Sequence, residues 1–335
     1  MTGPDSPQSS PVPVDLEPLS GDLARVEAGL REAVTTSDPF LRDVAGHLIE
    51  AGGKRVRPTL TLCTAYAASW SGSGTAPSSD DAITGACAVE LVHLGSLYHD
   101  DVIDEAETRR GVPSVNARWS NIVAILAGDF LLARASSLAA SLGADVAALL
   151  AATIGELCRG QVLELQHLFD VDRSEDVYES TIEGKTAALF ATSCRIGGMV
   201  ANVDEATLDA LTRFGLHLGM CFQVVDDVLD LTATEEALGK PAGQDLLEGV
   251  YTLPVIYALR DQPDLRDRLG RPLTADELDE ARRVANANGS VDAALAVARA
   301  HAGKAVDALD GAVGLDDRVC SSLTALVDRQ VTRLY

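Results

Sequence analysis

Apolar residues recur at steps of three and four from about Leu19 onward, which is the spacing of one face of an α-helix. The segments are Leu41–Leu48, Thr59–Tyr66, Ile83–Leu97, Ile122–Leu142, Val146–Leu168, Val177–Met199, Leu208–Leu231 and Thr252–Leu259. Further helices begin at Ala275, Val291 and Arg318. No run alternates with period two over the length of a strand. Gly, Ser and Pro at Ser71–Asp80 predict a loop, with Asp80 or Asp81 capping the next helix. Other breaks fall at Gly111–Pro113 and at Asp261–Arg271, which holds Pro263 and Gly270. The pattern predicts one all-α domain over residues 19–335, a bundle of roughly ten or more helices. Residues 1–18 are rich in Pro and Ser and predict a disordered tail. They lack a charged segment followed by an apolar one, which predicts that they are not a signal peptide.

Composition supports the helical reading. Apolar residues make up 47% of the chain and aromatics only 4%, with Ala and Leu abundant. The net charge of −23 argues against a nucleic-acid partner and against electrostatic docking to anionic lipid. A phosphorylated ligand would therefore need local cations or metal ions. Six cysteines include no C-x-x-C pair, and predict free buried thiols in a reducing, cytoplasmic setting. No apolar run approaches the roughly 20 residues of a membrane span.

The chemistry concentrates in a spacing used twice, Asp100-Asp101-Val102-Ile103-Asp104 and Asp226-Asp227-Val228-Leu229-Asp230, each after an apolar helical stretch. Helical residues four apart lie about 40° from each other around the axis. Asp100 and Asp104 thus share a face, as do Asp226 and Asp230, with Asp101 and Asp227 at the flank. Clustered carboxylates without His or Cys suit Mg²⁺ or Mn²⁺ rather than zinc or copper, and Mg²⁺ readily shares its shell with phosphate oxygens. Solvated acidic faces would be the alternative for either motif alone; the shared spacing and shared apolar approach favour a paired metal site.

Cations accompany these motifs. Arg109-Arg110 follow the first, and Arg is a bidentate phosphate ligand. Gly52-Gly53-Lys54-Arg55-Val56-Arg57-Pro58 puts three positive charges in four residues beside two glycines, a place where backbone can approach an anion. Lys185-Thr186 and Gly239-Lys240 are weaker signals, since a solvated lysine is the default. A metal-bridged diphosphate and a separate basic pocket suggest one diphosphate that leaves and one that stays.

In order, the blocks GGKRVRP (52–58), ELVHLGSLYHDDVIDEAETRRG (90–111), LAGDFLL (126–132), Gly184–Thr186, FQVVDDVLD (222–230) and GKPAGQDLLEGVYTLP (239–254) resemble the trans-type polyprenyl diphosphate synthases, including long-chain actinobacterial members. The resemblance runs from about Gly21 to the C-terminus. It implies the all-α isoprenoid synthase fold around a central cavity, and a homodimer. It implies Asp100, Asp104 and Asp226 as Mg²⁺ ligands, about three ions per site, with Asp101, Asp227 and Asp230 in support. Arg109, Lys185 and Lys240 would hold an allylic diphosphate, with Thr186 and Gln223 lining the same site. Lys54, Arg57, His93 and Arg110 would hold isopentenyl diphosphate. On residues alone, His93 reads rather as a core histidine. Val250 stands where many members have Lys, and so is left outside the binding set.

The resemblance also bears on product length. The growing chain would run down the helix below Asp100, where four residues span about 6 Å, close to one C5 unit. Short-chain members place bulky aromatics four or five residues before the motif; here those positions are the small Ser96 and Gly95. Gly95 also fits close helix packing. Tyr98 lies about 200° from Asp100 and should point away. The expected product is a polyprenyl chain of about C35 to C50, a quinone side-chain precursor, with transient membrane contact for its release. A C20 synthase is the alternative. A class I terpene cyclase usually lacks the second Asp motif and the GGKRVRP-type block, and a non-catalytic subunit would have lost the aspartates.

Overall fold

In the computed structural model the described residues are 14, 16–69, 78–233, 242–287, 289–312 and 314–332. The helices are α1 (Leu19–Ala33), α2 (Pro39–Glu50), α3 (Val56–Ser69), α4 (Asp80–Ile103), α5 (Val115–Arg118), α6 (Asn121–Ser141), α7 (Ala144–Gln166), α8 (Glu175–Ile182), α9 (Ala188–Val200) and α10 (Glu205–Thr232). They continue as α11 (Gln244–Glu248), α12 (Leu253–Asp261), α13 (Pro263–Arg266), α14 (Ala275–Ala285), α15 (Ser290–Asp310) and α16 (Asp317–Thr332). A π-helical turn, Glu183–Ala187, joins α8 to α9. The predicted disordered tail lies largely outside the described residues, as do most of Ser71–Asp80 and all of Gly239–Pro241.

The periodic segments fall on helices with ends shifted by a few residues, except that Val177–Met199 is divided among α8, the π turn and α9; local caps fix several of the starts. Asp38 accepts hydrogen bonds from the Phe40 and Leu41 amides at the start of α2, where Pro39 needs no donor partner. Ser79, not Asp80 or Asp81, caps α4 by accepting from the Ala82 amide. Ser120 and Ser174 do the same for α6 and α8. Thr274 and Glu277 form a reciprocal capping box on α14. Each such cap stabilises its helix by ~1 kcal/mol. Two breaks hold more structure than the pattern predicted. Asp261–Arg271 contains α13, and the chain around Gly111 forms a two-stranded hairpin, β1 (Thr108–Arg109) and β2 (Val112–Pro113).

The described residues form two compact units. The first takes its residues from Met1–Ile154, Thr192–Thr212 and Ala312–Leu326. Its centre is α4, buried on almost every side and packed most extensively against α6, then α3 and α1. Small residues allow this. A Cβ on Gly85 would stand 2.6 Å from Ile196, so α4 has room for its neighbour only as glycine. The second unit comprises Gly155–Ala191, Arg213–Gly311 and Val327–Tyr335. Leu231, Leu246, Tyr251, Val255, Leu259 and Leu278 are among the residues that build its core, around which α12, α14 and α15 pack.

Two helices, α6 and α7, are long and apolar enough to cross a membrane by length and composition, which corrects the expectation that no segment approaches that length. Only about a third or less of either apolar window is buried. On α6, Ile122, Ile125 and Leu126 are exposed on one face. Of the cysteines, Cys63, Cys87, Cys194 and Cys221 are buried as expected; Cys158 is exposed and Cys320 half-buried.

Candidate active site

The first acidic motif ends α4. Asp100 is half-buried, Asp104 is exposed, and Asp101 is fully buried. Asp101 Oδ1 accepts from Arg109 Nε at 2.6 Å, and Arg109 Nη2 lies at the same distance. The hairpin makes this pairing. Arg110 and Gly111 sit at positive φ, 55° and 76°, the two central positions of a turn that fits the right-handed twist of paired strands. The chain thereby reverses directly after Arg109. Burial raises the Asp101 carboxyl above its usual range, with Arg109 opposing. Its buried Oδ2 has no hydrogen-bond partner among the described residues.

The basic block Gly52–Pro58 is assembled beside the motif in the same unit. Arg110 donates to the carbonyls of Leu48, at 3.1 Å, and of Gly52. Gly53 sits at φ 157°, and a Cβ on it would stand 2.9 Å from the Arg110 guanidinium, so a side chain here would be strained and would push Arg110 aside. Arg57 is pushed down to about 10 by burial, with Glu90 and Asp100 opposing. His93 is held neutral, well below its ordinary value, by burial and then by Arg57, Arg110, Arg55 and Arg109. Lys54 is exposed. The structure therefore brings Arg57, His93 and Arg110 together next to Asp100. Arg55 is not part of the set. It is buried and bonds Glu27 at 2.5 Å and Glu90 at 2.9 Å, a structural use of the third cation.

The second motif lies on α10. Asp226 is exposed, while Asp227 and Asp230 are buried. Asp227 accepts from the Tyr178 hydroxyl at 2.6 Å and from Gln223 Nε2 at 2.8 Å. Burial lifts its carboxyl to about 7, against these two hydrogen bonds. Asp230 Oδ2 accepts from the Asp245 amide at 3.2 Å, and its carbonyl from the Gly243 amide at 2.9 Å. Gln223 Oε1 in turn accepts from Thr186 Oγ1 at 2.7 Å.

Lys185 and Thr186 sit on the π turn, a distortion common at functional sites. The turn packs closely on α7. A Cβ on Gly184 would stand 2.8 Å from the Glu156 carbonyl oxygen, and one on Gly160 would collide with the Lys185 amide. The Lys185 ammonium pairs with Glu164 on α7. Glu164, Tyr178 and Glu90 were not singled out from the sequence. The one available signal was Glu90 opening a motif block; nothing in the spacing marks the other two. Lys240 lies outside the described residues.

Around product length, Ser96 is half-buried, and its hydroxyl donates to the His93 carbonyl at 2.8 Å. Tyr98 is fully buried and donates to the Val44 carbonyl at 2.8 Å. Gly95 faces α6, where it allows backbone contact.

The donor set is oxygen-only, which fits Mg²⁺. Among the described residues no three of His, Cys, Asp or Glu converge tightly enough to hold an ion unaided. An ion here would complete its shell with water and phosphate oxygens.

A family model described as polyprenyl synthetase matches residues 38–288. The heptaprenyl diphosphate synthase component 2 of Geobacillus stearothermophilus is 40% identical over 311 residues, covering 92% of this chain and 90% of that protein. The nonaprenyl diphosphate synthase of Mycobacterium tuberculosis is 37% identical, covering 93% and 92%. The crystal structure of a polyprenyl synthase from Caulobacter crescentus, complexed with calcium and isoprenyl diphosphate, superposes with a TM-score of 0.88 at 33% identity, covering 98% and 99%.

Proposed function

Because the chain belongs to the polyprenyl synthetase family, we propose that it condenses isopentenyl diphosphate with an allylic diphosphate into a long-chain all-trans polyprenyl diphosphate, a precursor of quinone side chains. The observation that carries this reading is the division of its six motif carboxylates. Asp100, Asp104 and Asp226 reach solvent, while Asp101, Asp227 and Asp230 are buried. The first three are accessible to ligand; the other three hold their helices in place.

Asp100, Asp104 and Asp226 would hold Mg²⁺, which supplies charge to stabilise a departing diphosphate. The reaction requires both motifs to act on one allylic diphosphate. Arg109, Lys185 and Lys240 neutralise its oxygens directly as the carbon–oxygen bond ionises. Lys185 then exchanges part of its pairing with Glu164 for phosphate. Lys54, Arg57, Arg110 and neutral His93 hold isopentenyl diphosphate, whose double bond attacks the allylic cation. A proton then leaves the new chain and is taken up by the departed diphosphate, as the motifs supply no other base. Water exclusion protects the cation. The small Ser96 below Asp100 leaves room for elongation.

The apolar face of α6, with Ile122 71% and Leu126 61% exposed, suits a homodimer interface better than lipid, since the helix also carries Asp129 and Arg134. The proposed assembly is a cytoplasmic homodimer. The name of the Geobacillus relative, component 2, favours one other reading, in which a second, different chain completes the enzyme. Purified chain alone tests both. Elongation by a sedimenting dimer supports the first reading, and activity only after adding a second component supports the other. Asp100→Ala and Asp226→Ala should each abolish elongation with the helical circular dichroism retained; near-normal rates would refute the metal roles.

A further inference from the structure

The segment joining α7 to α8 is held in an uncommon conformation. Phe169 sits at φ 59°, which is costly for an aromatic residue. Its amide donates to the Gly249 carbonyl at 2.8 Å. Gly249, itself at φ 78°, is needed there, because a Cβ would stand 2.6 Å from the Phe169 ring. Four residues on, Arg173 is buried at 5% exposure. Its Nη1 donates to the Tyr251 carbonyl at 3.1 Å and its Nη2 to Thr181 Oγ1 at 3.0 Å. Its Nε has no partner among the described residues. No ion pair to Arg173 is formed among them either.

A buried guanidinium held only by neutral acceptors is unfavourable unless it serves the surrounding field. Its anionic neighbours at longer range are Glu164, Asp227 and Asp170. The link to Asp227 is material. The Arg173 guanidinium stands 5.8 Å from the centre of the Tyr178 ring, within cation–π reach. The Tyr178 hydroxyl donates to Asp227 Oδ2 at 2.6 Å. Asp227 Oδ1 is held by Gln223, and Gln223 by Thr186 on the π turn that carries Lys185. All of these residues belong to one compact unit. The network therefore runs from a strained, pinned turn, through a buried cation and a fully buried phenol, to the middle carboxylate of the second motif. With Asp227 anchored inward, the neighbouring Asp226 is turned out to solvent.

We propose that Arg173 and Tyr178 are positioning residues for the second acidic motif, acting through Asp227 to fix the direction in which Asp226 meets metal and diphosphate. Neither touches substrate, as both are buried. The role rests on the reading that Asp226 takes part in holding the metal-bound diphosphate.

The test compares Tyr178→Phe, Arg173→Met, Arg173→Lys and the Tyr178→Phe/Arg173→Met double variant with the full-length parent. The readouts are calorimetric titration of Mg²⁺ in the presence of inorganic diphosphate, binding of isopentenyl diphosphate without metal, and kcat. Tyr178→Phe keeps the ring and removes one hydroxyl, so it retains the fold. It should weaken Mg²⁺–diphosphate binding about tenfold, as expected for one charge-assisted hydrogen bond, and leave isopentenyl diphosphate binding within about twofold. Arg173→Met should do the same, Arg173→Lys should recover part of the loss, and the double variant should be no worse than Arg173→Met alone, because both act along one path. Unchanged Mg²⁺–diphosphate affinity in Tyr178→Phe would overturn the proposal. So would equal loss of both ligands, or additive losses in the double variant. If Asp226→Ala binds Mg²⁺–diphosphate and turns over normally, the functional reading of the motif itself falls; an active parent with an unmoved Tyr178→Phe defeats only this inference.

Discussion

Gly95 on α4 and Gly128 on α6 bring two helices into backbone contact: a Cβ on Gly95 would stand 3.1 Å from the Gly128 carbonyl oxygen, and 3.2 Å from carbons of Leu132. The glycine costs α4 about 1 kcal/mol in helix propensity relative to alanine, and the close approach of α6 is what it allows in return. Gly95→Ala should be nearly neutral, the gained propensity offsetting a tight contact. Gly95→Leu should destabilise by ~1–3 kcal/mol through overpacking, read as a lower urea midpoint. A Leu variant as stable as the parent would show that α6 yields freely.

That pair also shows how far the sequence could be read. Both Gly95 readings, open tunnel and close packing, were visible in one residue type. Only the position of α6 distinguishes them, and that depends on contacts remote in sequence. The helices and the two Asp motifs were legible because period and spacing are local properties. The Arg109–Asp101 pair was not, because it needs the positive φ of Arg110 and Gly111 to reverse the chain. Tyr178 and Glu164 were invisible for a related reason. Each meets its partner, Asp227 or Lys185, across 49 and 21 residues, and neither lies in a motif. Among the three cations of the Gly52–Pro58 block, spacing does not show that Arg55 is buried against Glu27 and Glu90.

Arg109→Ala should both destabilise the protein and slow it. It leaves the fully buried Asp101 without its cation, a change worth up to about 3–5 kcal/mol for a buried pair. The partial exposure of Arg109 places the loss below that range. Turnover should fall by about 10²-fold or more, as for removal of a group that stabilises developing charge. Arg109→Lys should recover little, since two guanidinium nitrogens reach Asp101 Oδ1. Full rescue by lysine would show that charge alone matters.

Acidification should unfold the chain partly through its buried histidines. His301 and His217 face each other, Nδ1 to Nδ1 at 3.2 Å, so one must donate while the other accepts. Burial, then His217 and Lys304, push His301 down to about 4. An unfolded histidine takes a proton near 6.5. Between those values the unfolded chain binds one more proton, and stability falls as pH falls, by ~1.4 kcal/mol per pH unit. This contribution is complete above about pH 6.5 and is lost towards pH 4. His93 acts in the same direction. His301→Gln should flatten the slope measured by urea unfolding between pH 7.5 and 5; an unchanged slope would contradict the assignment.

Ser96→Phe should shorten the product by one or more C5 units, because it fills the space one helical turn, about 5.4 Å, below Asp100. Chromatography of dephosphorylated products measures this. The same length distribution as the parent would remove Ser96 from the elongation path.

The length of the product made by the purified chain is the decisive measurement. With Mg²⁺, labelled isopentenyl diphosphate and a series of allylic primers, all-trans products of about C35 to C50 are expected, since Ser96 and Gly95, four and five residues before Asp100, are small. Products that stop at C20 or shorter would contradict the open path, and no elongation from any primer would contradict an enzyme complete in this chain alone.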